Sequence, residues 1–183
     1  MGIDVKQVEA AQRGDKDSFA LVYDAIAPDL YRVALYTLGN PHDAEDVVSE
    51  TFIEAYKGIA NLRDPSRFKA WMMKILSVRC KRKIAEYITG KQQMDIDSFS
   101  LILSDGSDLS GEVSEQVTLM QALARLSEQE RLIIVLSVMQ GYTSREIAAV
   151  LDTPQGTVSS KLHRSMVKLR KMLAAEGVDM TAE

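Results

Sequence analysis

Ser160, Arg164 and Lys171 recur at helical spacing, flanked by Ser159, His163 and Lys168, in a stretch made for contact with polyanions. From Thr153 to Ala175 there are five bases (Lys161, Arg164, Lys168, Arg170 and Lys171) and no acid. At ~100° per residue Ser160, Arg164 and Lys171 point away from the side that carries Val158, Leu162, Ser165, Leu169 and Leu173. Short polar groups near a helix start, with cations further along, suit base edges and phosphates in a DNA major groove. A solvated helix with a basic C-terminal end would carry similar residues. What precedes the stretch favours DNA. Thr143 with Glu146 three residues on is a capping-box pattern, and Ile147, Ala148 and Leu151 give the helix it starts one apolar face. Asp152-Thr153-Pro154 stops that helix, with Thr153 predicted to cap the next and Pro154 to open it. Short helix, tight turn and longer helix make a helix-turn-helix.

A second charged constellation lies at Asn40–Gly58. Asn40 and Pro41 are a helix start, and Ala44, Val48, Phe52, Ala55 and Ile59 a buried face. Between Pro41 and Tyr56 stand five acids and no base. Asp46, Glu50 and Ile53, with Val47 nearby, fall off the buried face. Apolar groups among carboxylates favour a docking surface over a merely solvated one. A third runs from Arg63 to Lys91, where nine bases face two acids, Asp64 and Glu86. Its phosphate-binding capacity, with Trp71 and Tyr87 as stacking groups, suits single-stranded nucleic acid. Helical spacing also fits Trp71 to the core beside Phe68, Met72, Ile75 and Leu76.

The elements that position these residues are helical throughout. Val5 and Val8 fall on a short opening helix ending near Gly14. Asp17 and Ser18 are candidate caps for a second, with Phe19, Val22, Tyr23 and Ile26 inward. Pro28 reads as a break or restart, and Leu30, Val33, Ala34 and Leu38 carry the apolar face on to Gly39. Ser66 is a candidate cap for the basic helix. Six acids and no base occupy Gln92–Thr118, which is dotted with Ser and Gly and reads as a linker. Helix resumes at Val113–Arg125. Ser127 with Glu130 starts a further helix through Leu132, Ile133, Val135, Leu136 and Met139, expected to pack behind the helix-turn-helix.

The prediction is an all-α chain: a helical domain at 1–90, an acidic linker at 91–112 and a helix-turn-helix domain at 113–183. A formal charge of −4 over 183 residues does not by itself indicate a nucleic-acid binder, so the sign is read by segment. One cysteine, Cys80, rules out an internal disulfide and fits a reducing compartment. With no signal-peptide pattern and no run of ~20 apolar residues, the expected location is the cytoplasm, without membrane insertion. His42 and His163 are far apart in sequence and no metal-ligand spacing or phosphate loop appears, so neither an enzyme nor a cofactor is expected. The rival reading is a stand-alone helix-turn-helix regulator with an N-terminal sensing or dimerisation domain, which leaves the acidic helix unexplained.

From Ser18 to Leu173 the order of segments resembles the extracytoplasmic-function RNA polymerase sigma factors of the sigma-70 superfamily. The motifs that carry the resemblance are DAEDVVSETF, FKAWMMKI, the acidic linker and GYTSREIAAVLDTPQGTVSSKLHRS. It implies a transcription initiation factor with three partners: core RNA polymerase, promoter DNA and an anti-sigma factor. It assigns polymerase docking to Asp46, Val47, Glu50 and Ile53. The minus-ten element falls to Arg67, Lys69, Trp71, Lys74, Arg79, Lys81, Arg82 and Lys83. The minus-thirty-five element falls to Thr157, Ser159, Ser160, Lys161, His163, Arg164 and Lys168. Val78 and Arg82 stand where members often have Asn and Asp, and Ser159 and Met166 where they often have Arg or Lys.

Overall fold

The computed structural model describes residues 3–90 and 118–176, with side chains left aside at 87–90, Tyr87 among them. The linker read at 91–112 and the helix start read at 113–117 lie outside the described residues. Helices α1 (Val5–Gln12), α2 (Lys16–Leu38), α3 (Pro41–Gly58) and α4 (Phe68–Gly90) form the N-terminal part. A helical segment, α5 (residues 118–124), precedes α6 (Glu128–Val138), α7 (Ser144–Leu151) and α8 (Gln155–Ala175). No strand occurs among the described residues.

Most helix ends follow local chemistry. The Asn40 side chain accepts from the Asp43 N–H at the start of α3, with Pro41 in the first turn. Gly39 ends α2 in the left-handed region at φ 76°, where a Cβ would be strained. Ser127–Glu130 and Thr143–Glu146 form reciprocal capping boxes at α6 and α7. Two caps differ from expectation. Asp15, not Asp17 or Ser18, caps α2 and accepts from the Asp17 N–H. Asp64, not Ser66, accepts from the Ser66 N–H and starts a 3-10 turn, Pro65–Arg67, that runs into α4. In both, an Asp two residues upstream reaches the free N–H with a charged acceptor.

Pro28 does not break α2, which continues through it. Its ring and Asp24, whose carbonyl loses its partner, are both on the exposed side, so water can take the freed acceptor. Packing on the inner side, through Val22, Ile26, Leu30 and Val33, holds the helix together.

The N-terminal core joins those residues to Ala44, Val48, Phe52 and Ala55 of α3 and to Phe68, Met72, Met73 and Leu76 of α4. Gln12 ties α1 to the α3–α4 connection by donating to the Ile59 and Leu62 carbonyls at 3.0 and 2.7 Å. Helix α6 is buried on every side from Arg131 to Leu136. A helix apolar all round needs cover on both flanks. The C-terminal helices α7 and α8 supply one, and α2 supplies the other.

The two parts therefore share a core. Leu132, Ile133 and Leu136 belong to the same cluster as Leu30 and Val33, while Leu35 and Tyr36 of α2 pack against Leu126, Ile134, Leu169 and Leu173. Lys81 Nζ on α4 donates to the Leu151 carbonyl at 2.9 Å, which also accepts from Thr153 Oγ1. A cation there satisfies the carbonyl end of α7. Burial lowers the Lys81 pKa, opposed by the nearby Asp152 carboxylate.

Candidate functional site

Helix α7, a turn and α8 form the helix-turn-helix. Asp152 makes the corner in the left-handed region at φ 50°, a conformation Asp tolerates better than most residues. The expected cap is corrected here. Thr153 spends its hydroxyl on the Leu151 carbonyl, and Pro154 is the N-cap with no side-chain cap bond. Residues 155–157 at the start of α8 are exposed, and the Thr157 N–H turns back to the Pro154 carbonyl at 3.0 Å, which leaves the N–H groups of Gln155 and Gly156 at the open end of the helix.

Val158, Ser165, Leu169 and Leu173 are buried, and the opposite side is open. Thr157, Ser159, Ser160, His163, Arg164 and Lys168 are all exposed; Lys161 is half-buried. Ser160 Oγ donates to the Thr157 carbonyl, and Arg164 Nε to the Ser160 carbonyl, at 3.1 Å each. The Arg164 terminal nitrogens stay available for a base or phosphate. Both lysines lean onto α6: Lys161 donates to Gln129 Oε1, and Lys168 lies 2.7 Å from Glu130 Oε1.

The Lys168 bond, aided by Ser127, holds the Glu130 carboxyl down to about 2 despite some burial. A lowered carboxylate pKa stabilises the fold above the ordinary value of 4.5, and that stability is lost as pH falls toward 2. Glu130→Gln should thus cost about 1–2 kcal/mol at neutral pH, from the cap and the ion pair together. Urea melts from pH 7 down to pH 3 should show the gap between variant and parent narrowing below about pH 4.5.

The expected minus-ten residues do not form one face. Lys69 pairs with Asp29 at 2.8 Å, Lys83 with Asp43 at 2.7 Å, and Arg79 with Glu50 and Glu54 at 3.1 and 2.8 Å. Lys81 is committed to Leu151. Lys74 and the well-exposed Arg67 and Arg82 remain outward, the last two with loose pairs to Asp64 and Glu86 on their own segments. Trp71 is half-buried against Gly58, where a Cβ would come within 3.3 Å of the indole, and Phe68. The charge run is thus spread around α4, because α2 and α7 each draw off one cation and α3 draws off two.

On α3, Asp46, Glu50 and Ile53 are exposed, Ile53 at 56%. Val47 is the correction: at 3% exposure it belongs to the core. α3 is covered by both α2 and α4, so its buried arc takes in Val47 and Thr51 beside Val48 and Phe52. Sequence reasoning missed Tyr56, 54% exposed and three residues from Ile53, although its spacing places it on the same side. Tyr56 stacks edge-on to Phe19, and Tyr23 lies over Phe52 with centroids 4.0 Å apart.

Among the described residues no group of three or more His, Cys, Asp or Glu side chains is placed to hold a metal, and no helix is long and apolar enough to cross a membrane. Cys80 is buried, its thiol pushed up to about 12 by burial, and is no nucleophile at neutral pH.

An open reading helix behind a capped first helix, joined to a helical part with an acidic outer face, defines a DNA-binding protein of the helix-turn-helix class. Comparison with known proteins narrows this. The Sigma-70 region 2 family matches residues 22–87 and the Sigma-70, region 4 family residues 116–169. The chain is 30% identical over 180 residues to the ECF RNA polymerase sigma factor SigW of Bacillus subtilis, covering 92% of this chain and 95% of that protein. It is 25% identical to the RNA polymerase sigma-H factor of Pseudomonas aeruginosa, covering 93% of each. In fold it is similar to CnrH, solved with the cytosolic domain of CnrY (TM-score 0.67, 24% identity, 95% of this chain and 99% of that one). It is also similar to RpoE of Bartonella quintana, solved with the anti-sigma factor NepR (TM-score 0.64, 21% identity, 85% and 96%). The chain belongs to the ECF RNA polymerase sigma factors. It is a transcription initiation factor that directs core RNA polymerase to specific promoters.

Proposed function

We propose that the outer face of α3 docks onto core polymerase through Asp46, Glu50, Ile53 and Tyr56, and that the two ends of the chain divide promoter reading. Residues 1–90 meet the minus-ten element with the outward part of α4, chiefly Arg67, Lys74 and Arg82. Residues 113–183 read the minus-thirty-five element with Thr157, Ser159, Ser160, His163 and Arg164, while Lys161 and Lys168 flank the phosphates. The stretch 91–112 is the tether. The chain contributes no catalytic group; capturing unpaired bases offsets part of the cost of melting. It works in the cytoplasm, and an anti-sigma factor is its expected regulator, as a neighbour in fold was solved with one.

The observation that carries this reading is an exposed Ile53 between carboxylates on a helix whose inner side is fully packed. Run-off transcription from genomic fragments, with core polymerase and with or without the chain, tests it. Promoter-specific transcripts that need the chain are the expected result; unchanged output would refute it. Arg164→Ala should weaken discrimination at one base position by about 1–3 kcal/mol, as for loss of a bidentate base contact. Transcription from a library randomised across the minus-thirty-five element reads that change, and an unaltered preference removes Arg164 from the interface.

A further inference from the structure

We propose that Arg79 is a positioning residue of the docking face, although it lies in the DNA-facing segment of the sequence. This rests on α3 being the polymerase-docking helix. The Arg79 side chain is only 22% exposed and turns toward α3. Nη1 lies 3.1 Å from Glu50 Oε2 and Nη2 lies 2.8 Å from Glu54 Oε2. Both terminal nitrogens of the fork are therefore engaged by α3, and a DNA phosphate would share the guanidinium with two carboxylates already bound to it.

Glu50 and Glu54 stand one helical turn apart on α3, where like charges repel. A guanidinium bridging them offsets that repulsion and fixes both rotamers, which a point-charge lysine does less well. One turn further along α4, Lys83 holds Asp43 in the same manner at 2.7 Å. A row of α4 cations thus braces a row of α3 acids. Such solvent-facing bridges add little to folding stability. Their larger effect is on docking: a partner that takes Glu50 meets a side chain already ordered and need not immobilise it.

The test uses the full chain and core polymerase. Arg79→Met should bind core polymerase about 10-fold more weakly, mainly through faster dissociation, as two long side chains must then be ordered on docking. Holoenzyme saturated with the variant should keep the parent's minus-ten base preference. Arg79→Lys should recover only part of the loss. Glu54→Gln should weaken docking in the parent and add nothing in the Arg79→Met background, a coupling that a general folding defect would not produce. Unchanged polymerase affinity for Arg79→Met, or an altered minus-ten preference in saturated holoenzyme, would overturn the assignment. Ile53→Asp separates the two levels: if it too leaves polymerase binding intact, the docking reading fails; if it alone disrupts binding, only the role of Arg79 falls.

Discussion

Replacing Ile53 by Asp is expected to weaken binding to core polymerase about 30- to 1,000-fold and to leave the fold intact. Ile53 is more than half exposed, while its neighbours Phe52 and Ala55 are buried. The substitution therefore removes no core contact, and its effect on thermal stability should be small. At a docked surface the outcome differs. An apolar anchor at the centre of an interface typically costs 2–4 kcal/mol when lost, and a carboxylate in its place must be desolvated beside Asp46 and Glu50.

Val47 supplies the contrast. Val47→Ala should destabilise the fold by about 2 kcal/mol, from lost burial and the cavity left behind. Folded Val47→Ala chain should still bind polymerase as the parent does. Competition binding against unlabelled parent, with urea melts of each variant, measures both quantities. If Ile53→Asp binds normally, or Val47→Ala binds poorly while folded, the outer face of α3 is misassigned.

The Val47 and Ile53 pair marks where the sequence is legible. Capped ends are written in three or four adjacent residues, so Asn40, Ser127–Glu130 and Thr143–Glu146 could be read without knowing what packs on them. Val47 could not, because a single-face count assumes one neighbour and α3 has two. Pro28 misled for a related reason: the rule that it breaks helices is local, and the packing that holds α2 together around it is not. The cations of α4 were visible as a run, yet the partners of Lys69, Arg79 and Lys81 lie 40, 29 or 25, and 70 residues away. Charge counts along a helix give its total and not the face on which each charge ends. The open face of α8 was legible since every buried position there repeats at helical spacing on one side. The apolar run of α6 implied more than was drawn from it: burial on all sides required a second neighbour, which proved to be α2.

That second neighbour leads to a large conformational expectation: engaging polymerase and promoter should part the two ends of the chain by tens of ångströms. The minus-ten and minus-thirty-five elements are about 25 base pairs apart by their names, or ~85 Å along B-form DNA. A folded body of 183 residues has a radius of gyration near 16 Å and is roughly 40–45 Å across. With α2 packed on α6 and Lys81 bound to Leu151, the two surfaces proposed to face DNA share such a body and cannot reach both elements at once. Donor and acceptor dyes at Lys6→Cys on α1 and Ala174→Cys, both exposed and outside the proposed interfaces, should transfer energy efficiently in the free chain and poorly in the promoter complex. The buried Cys80 should resist labelling. Leu35→Asp with Tyr36→Asp, which places charge where α2 meets the C-terminal core, should lower transfer in the free chain without polymerase. Equal transfer in the free and promoter-bound states would mean that the shared core persists on DNA. Parting them uncovers the apolar sides of α2 and α6 and frees Lys81 from Leu151, a cost that the larger polymerase and promoter surfaces must offset.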